Sequence, residues 1–302
     1  MKVLITGANG LLGQKIVSDF SPSHNVLAVD LSDEPFLSLS NFSYKNCDIT
    51  KKEEIEAVFN FFKPEIVINS AAYTDVDGCE INKDLAWAVN VEGVRNLVQL
   101  CQIHQAKLVH FSTDYVFDGE KGPYSENDPT HPKSFYGETK LESEKIVISS
   151  GIDFLIIRTN VLYGLGINIK KNFFLWLYEE LSQTHKIKVV TDQLNNPTLA
   201  DNLSSATKEL VQRKASHIFH IAGATYLSRY DFALQVAQVF GLDEKNIIPI
   251  KTGELQQKAS RPLRGGLKTD KAKSFLKTKL WEVEESLEYL RKEMEKCRGS
   301  IY

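Results

Sequence analysis

A tyrosine and a lysine stand four residues apart in Tyr136-Gly-Glu-Thr-Lys140, and a hydroxyl pair, Ser112-Thr113, closes an apolar run upstream of them. In a helix, positions i and i+4 share one face, so the phenol and the ammonium would point the same way. A phenol with a pKa of about 10 is a poor base at neutral pH but a usable acid. A neighbouring ammonium would lower that value toward working pH. The Thr113 hydroxyl could supply a second hydrogen bond to the oxygen being protonated. These residue types at this spacing suit acid–base chemistry on a carbonyl. Tyr-x-x-x-Lys pairs are also frequent on surfaces, so the meaning of this one depends on what precedes it.

What precedes it reads as a phosphate loop. Thr6-Gly7-Ala-Asn-Gly10-Leu11-Leu12-Gly13 follows the first apolar run directly and opens an amphipathic stretch. Glycines there permit a tight turn and bring backbone N–H groups and a positive helix end close to a pyrophosphate. The pattern is one residue longer than the standard dinucleotide fingerprint. Asp30 ends the second apolar run, twenty residues beyond Gly10, where a carboxylate can hydrogen-bond the adenosine ribose. The expected cofactor is NADH or NADPH. Asp30 would repel a 2′-phosphate and tilts the choice toward NADH, although a nearby Lys or Arg could accommodate that phosphate. Lys140 then gains a second task, holding the nicotinamide ribose. An oxidised nicotinamide would add its positive charge to the pull on the Tyr136 proton.

These groups need a scaffold, and the periodicity supplies one. Short β-branched runs at 2–6, 25–30, 65–70, 107–112 and 153–158 alternate with helical patterns at 11–20, 51–62, 83–104 and 134–150. Such alternation predicts βαβ units and a parallel sheet, and the continuous apolar runs fit strands covered on both faces. Thr50 and Glu53 have the spacing of a capping box ahead of the second helix. Beyond Arg158 come a loop (159–172), a helix (172–184), a strand (187–190), a helix (200–214), a strand (217–221), a helix (228–240), a polar loop (256–266) and a charged terminal helix with a solvated face (282–296). The expected fold is α/β, a Rossmann-type doubly wound parallel sheet with a smaller C-terminal substrate-binding lobe. Residues 1–165 and 186–214 are assigned to the dinucleotide-binding domain, and 166–185 and 215–302 to the lobe.

Composition narrows the function classes. The 302 residues carry 36 Lys and Arg against 39 Asp and Glu, so no basic excess points to nucleic acid. Cys47, Cys79, Cys101 and Cys297 lie far apart with no C-x-x-C pair, which argues against a disulfide framework or a zinc site, and no metal ligands are predicted. The longest aromatic–aliphatic run, 173–178, falls far short of the ~20 residues of a membrane span. It reads as helix core or a subunit contact. The N-terminal apolar stretch runs straight into glycines, unlike a signal peptide. The expectation is a cytoplasmic protein with no membrane partner. His110, His217 and His220 lie in or beside apolar strands and read as packing residues.

Four further stretches extend the pattern: Asn69-Ser-Ala71-Ala72-Tyr73-Thr-Asp-Val-Asp-Gly-Cys-Glu80, Phe111-Ser-Thr113-Asp114-Tyr-Val-Phe-Asp-Gly119, and weaker ones at Asn196-Pro-Thr and Ser260-Arg-Pro262. With these the chain resembles, over most of its length, the extended short-chain dehydrogenase/reductases, and within them the dTDP-4-dehydrorhamnose reductase family. The most specific element is S-T-D-Y-V-F-D-G. Related dehydratases carry a Glu where this chain has Tyr115, and simple 4-epimerases lack the Thr-Asp-Tyr run.

The resemblance implies reduction of the 4-keto group of a dTDP-4-keto-6-deoxy sugar, with Thr113, Tyr136 and Lys140 catalytic. Cofactor contacts would come from Gly7, Gly10, Leu11, Leu12, Gly13, Asp30, Asp48, Ile49, Ala71, Ala72, Tyr73, Tyr136 and Lys140. Thr113, Asp114 and Val161 would face the sugar of a nucleotide-sugar substrate, and a homodimer is the assembly the family suggests. Asp48-Ile49, at the end of a third strand, would cover the adenine and could also cap the helix that follows. Two departures fall on the substrate side. Val161 stands where the family places a tryptophan, and Ser260-Arg-Pro-Leu-Arg-Gly-Gly-Leu267 replaces S-R-P-x-x-S-R-L. Two alternatives stay open: a reductase or epimerase of another nucleotide sugar, and a non-catalytic regulatory subunit resembling that of methionine adenosyltransferase. The latter shares D-Y-V-F-D-G, resembles Val161-Leu-Tyr-Gly164, and carries Ser where this chain has Thr113.

Overall fold

The computed structural model describes residues 1–299, with side chains through Lys296. The chain begins β1 (Lys2–Thr6), α1 (Leu11–Phe20), β2 (Asn25–Asp30), β3 (Ser43–Asn46), α2 (Lys52–Phe62), β4 (Ile66–Asn69), α3 (Val76–Ile81), α4 (Lys83–Trp87) and α5 (Gly93–His104). It continues through β5 (Lys107–Thr113), α6 (Phe135–Ser149), β6 (Phe154–Thr159), β7 (Leu162–Tyr163), α7 (Phe173–Ser182), β8 (Ile187–Val190), β9 (Leu194–Asn195), β10 (Thr198–Leu199) and α8 (Ala200–Gln212). Last come β11 (His217–His220), β12 (Leu227–Ser228), α9 (Arg229–Phe240), β13 (Ile247–Ile250), α10 (Asp270–Phe275) and α11 (Val283–Gly299).

Seven strands form one parallel sheet in the order β11-β6-β5-β4-β1-β2-β3. The chain reverses its direction of travel across the sheet between β1 and β4. That switch point opens a crevice at the carboxyl ends of the strands, where α/β sheets bind ligands. Both sheet faces are covered. Val3 and Ile5 of β1 join α1 and α8 side chains such as Ile16 and Leu203 on one face, and Leu4 joins Ile55, Val58 and Leu97 of α2 and α5 on the other. A third apolar cluster gathers Phe174 and Leu177 of α7, Phe232 and Val236 of α9, Val189 of β8, Ile247 of β13 and Leu287 of α11. The 173–178 aromatic run thus serves helix packing.

Several expectations change in detail. β8 pairs with β13 and packs in the third cluster, whereas β11 closes the main sheet beside β6. The expected division, with 186–214 in the first unit and 215–302 in the second, therefore needs correcting at those two strands. Both are short, and neither length nor composition says which sheet they join. β3 has no apolar side chain fully buried and lies at an edge, so periodicity gives it no signal. The helix expected over 83–104 contains a π-turn at Ala88–Glu92. The Thr50–Glu53 capping box does not form: Thr50 Oγ1 donates to Asp48 Oδ1 (2.7 Å), and Glu54 reaches back to the Asp48 N–H (2.9 Å).

Candidate active site

The phosphate loop has its predicted shape. Gly7 takes a left-handed conformation (φ 67°), and a Cβ there would lie 2.5 Å from the Ala71 nitrogen. A Cβ on Gly13 would lie 2.0 Å from the Gly7 carbonyl oxygen. Only glycine lets the loop, α1 and the segment after β4 approach this closely. Gly10 is the N-cap of α1, which leaves that helix's first N–H groups facing the crevice. Gln14, unremarked in the sequence, ties the loop to a distant segment by donating to the Asn9 and Ile167 carbonyls (2.8 Å each) and accepting from the Ile167 N–H (2.9 Å).

Two adjoining cavities open above this loop and share Gly10, Ala71 and Ala72. The smaller, about 320 Å³, is lined by Gly7, Asp30, Asp48 and Ile49, with no Lys or Arg among its lining residues. Asp30 accepts from the Asn9 N–H (2.8 Å) and the Leu31 N–H (2.7 Å), so its carboxylate is fixed at the cavity wall. The larger, about 780 Å³, is lined by Leu11, Leu12, Gly13, Thr113, Asp114, Tyr136, Lys140 and Val161. Of the residues expected at the site, Tyr73 alone lines neither cavity. Its side chain packs with Cys79, Ala86 and Tyr136 instead, and its backbone is held by Asn90 from the π-turn (2.8 and 3.0 Å).

Tyr136 and Lys140 lie on α6, whose N-cap Ser134 accepts from the Gly137 N–H (3.2 Å). The buried stripe of this helix carries Tyr136, Lys140, Ser143, Glu144 and Val147, so it is largely polar. Every polar member must therefore find a partner inside the protein. Glu144 forms a two-pronged ion pair with Arg158 of β6 (2.9 and 2.6 Å), both side chains being almost fully buried. That pair fixes the rotation of α6 against the sheet, and with it the direction of Tyr136 and Lys140. Thr113 ends β5, and its hydroxyl accepts from the Tyr115 N–H (3.2 Å) and lies within hydrogen-bonding reach of Tyr136.

The electrostatics differ from the simple expectation. Burial pushes the Tyr136 phenol up, with Tyr115 and Cys79 adding to the shift and Thr113 opposing it. Burial lowers Lys140 to about 8, with Glu144 working in the opposite direction. Desolvation dominates the phenol, and Lys140 is not among the groups that lower it. Tyr136 is thus a firmly protonated acid.

On the far side of the larger cavity the residues come from segments far apart in the chain. Asp114 is buried and accepts from Asn160 Nδ2 (3.1 Å), the Gly266 N–H (3.1 Å) and the Thr113 hydroxyl (3.3 Å). Burial raises its pKa and these bonds oppose the rise. Val161 has a φ of 42°, an unusual conformation for a β-branched residue. Arg229 lines the cavity with its guanidinium 4.6 Å above the Phe173 ring, and burial lowers its pKa. Arg261 lines it too, pairing with Asp77 (3.0 Å) while its Nη1 is buried with no hydrogen-bond partner. Arg229 carries no local motif signal, whereas Arg261 belongs to the weak Ser260-Arg-Pro262 stretch. His110, expected as core packing, is fully buried but also touches Lys140 (3.3 Å).

These residues fit a dinucleotide. The glycine cradle leaves backbone donors for a pyrophosphate, and Lys140 Nζ has no oxygen partner among the described residues until ribose hydroxyls supply one.

Residues 1–296 match the family model of the RmlD substrate binding domain. The chain belongs to this family. A probable low-salt glycan biosynthesis reductase of Haloferax volcanii is 35% identical over 88% of this chain and 89% of its own. A dTDP-4-dehydrorhamnose reductase structure from Clostridium acetobutylicum superimposes with a TM-score of 0.87 at 36% identity, covering 98% of this chain and 100% of that one. A dTDP-4-dehydrorhamnose reductase from Bacillus anthracis, solved in complex with NADP, gives 0.87 at 29% identity, covering 97% and 99%. The chain is an oxidoreductase that uses a nicotinamide cofactor. No helix among the described residues is long and apolar enough to cross a membrane.

Proposed function

We propose that this protein reduces the 4-keto group of a dTDP-4-keto-6-deoxy sugar, yielding dTDP-L-rhamnose or a related deoxysugar. The observation that carries the reading is that Thr113, Tyr136 and Lys140, brought from β5 and α6, line the same cavity as the phosphate loop. A nicotinamide bound there supplies the hydride. Tyr136 donates its proton to the carbonyl oxygen as the hydride arrives, and Thr113 orients that oxygen with its hydroxyl. Lys140 holds the ribose and stabilises the phenolate left on Tyr136. Arg229 and Arg261 would meet the diphosphate of the nucleotide, because two cations facing one cavity favour a doubly charged group. Val161 lines this cavity where the family places a tryptophan, so a smaller side chain would face the sugar.

NADH is the preferred cofactor on this reading. Asp30 and Asp48 face the smaller cavity and no Lys or Arg lines it, so a 2′-phosphate would meet two carboxylates. The test mixes purified protein with NADH or NADPH and dTDP-4-keto-6-deoxy-L-lyxo-hexulose and follows nicotinamide absorbance. Faster oxidation of NADH is expected. No oxidation of either cofactor, with this sugar or with UDP- and GDP-keto sugars, would leave the regulatory-subunit alternative standing.

A further inference from the structure

The catalytic lysine has an unusual neighbour. Lys140 is fully buried, and the only hydrogen-bond partner of its Nζ among the described residues is His110 Nε2 at 3.3 Å. Glu144, one helical turn along, is occupied by Arg158. The protonation of His110 can be worked out from its surroundings. The backbone N–H of Ala71 donates to Asn69 Oδ1 (3.2 Å), and so does the Thr6 hydroxyl (2.6 Å). A backbone donor cannot turn round, so the Asn69 oxygen is fixed and its amide nitrogen faces His110 Nδ1 (3.1 Å). Nδ1 must therefore accept, which places the ring proton on Nε2. Ser143 agrees: its hydroxyl donates to the Lys140 carbonyl (2.7 Å) and so accepts from His110 Nε2 (3.0 Å). A second ring proton has no room at Nδ1, because it would point at the Asn69 amide. His110 is thus a neutral imidazole that gives its one proton to Ser143 and turns no lone pair toward Lys140.

We propose that the Thr6–Asn69–His110 chain is a positioning device for the catalytic lysine: it locks His110 as the Nε2–H tautomer, which offers Nζ no acceptor and so favours the neutral amine until a cofactor binds. The inference rests on the reductase reading for its catalytic meaning, though not for its geometry. The groups facing Lys140 and its helix support it. Tyr136 and Glu144 lie on α6, Arg158 comes from β6, Asp114 and Tyr115 from the turn after β5, and Cys79 from α3. Glu144 is the one carboxylate that favours the ammonium, and Arg158 neutralises it. Burial holds Lys140 at about 8 and His110 well below its ordinary value, in keeping with an amine and a neutral ring side by side. Ribose hydroxyls would add the acceptors that the ammonium lacks. Thr6 and Asn69 end β1 and β4 at the sheet's switch point, so the device reaches from the strand leading into the phosphate loop to the catalytic helix.

Two measurements test it. In ligand-free enzyme, 15N-resolved NMR of the imidazoles, with His110 assigned by its loss in His110→Gln, should show the neutral Nε2–H tautomer from about pH 6 to about 9. An imidazolium near the acid end, or an Nδ1–H tautomer, overturns the proposal whether or not the enzyme turns over. The pH profile of kcat/KM reports ionisations of the free enzyme. The reaction needs the ammonium, so activity should fall as pH rises through about 8. In His110→Gln the amide can turn its oxygen to Nζ, favouring the ammonium and moving that limb upward by about one pH unit, a tenfold change in the ionisation constant. A lower rate at every pH with the limb unmoved would mean that His110 only packs. Failure of the keto sugar to react would remove the second measurement and leave the first intact.

Discussion

The two sides of the larger cavity are built by different means. The cofactor-facing side uses one glycine loop, one strand end and one helix face, each specified within a few residues. Gly7 to Gly13 form a single turn, and Tyr136 and Lys140 are neighbours because they are four apart on α6. The sugar-facing side joins segments far apart in the chain. Asp114 is hydrogen-bonded to Gly266, 152 residues away, and to Asn160, while Arg229 enters from the start of α9 and Arg261 from the loop before α10. Local pattern fixes the chemistry, and tertiary contact fixes what the chemistry acts on. The same fold can therefore keep one reaction and change its substrate.

Substitutions on each side should separate these roles. Tyr136→Phe removes the proton donor while leaving the ring in place, and kcat should fall by about 10²–10⁴-fold with cofactor affinity unchanged. Steady-state kinetics with a fluorescence titration of the cofactor checks both halves. Gly13→Ala forces a methyl against the Gly7 carbonyl, where backbone rather than a flexible side chain must give way. A cost of about 1–3 kcal/mol is expected, shared between a lower Tm and weaker cofactor binding. Arg229→Ala acts on the other side and should raise KM for the nucleotide sugar roughly tenfold, the low end of what a charge-assisted hydrogen bond contributes, with the cofactor Kd unmoved. If the cofactor Kd moved equally, the two sides would not be separable. Asp30→Asn should have the smallest effect, a few-fold relative gain for NADPH over NADH in competition titrations, since one of two carboxylates remains.

The same contrast explains what could be read from sequence. The strands of the first half and α1 were legible to within a residue or so because apolar periodicity and the glycine loop are local signals. β3 gave no periodic signal, because an edge strand of polar residues buries too little to show a pattern; the resemblance alone placed a third strand there, ending at Asp48-Ile49, whereas β3 ends at Asn46. The π-turn at Ala88–Glu92 looks helical in composition, and its cause, the Asn90 bonds to Tyr73 and Thr139, is tertiary. Tyr73 was expected beside the cofactor with its neighbours Ala71 and Ala72, yet it turns into the cluster behind Tyr136. His110 looked like an ordinary core residue because its strand is apolar on both sides. Its partners Asn69 and Lys140 come from β4 and α6, and only the sheet order β4-β5-β6 brings them together. Arg229 likewise acquires meaning only from the cavity, and the weak motif that holds Arg261 gains a partner there.

The central claim is that hydride from the cofactor and a proton from Tyr136 reach opposite ends of one carbonyl in this cavity. The most direct test is a turnover experiment with reduced nicotinamide carrying deuterium at both carbon 4 positions and dTDP-4-keto-6-deoxy-L-lyxo-hexulose, with the product examined by NMR. The account predicts one deuterium, at carbon 4 of the sugar, formed by the wild-type enzyme and lost to the same degree as kcat in Tyr136→Phe. Deuterium at another carbon, or a product formed with none, would contradict it.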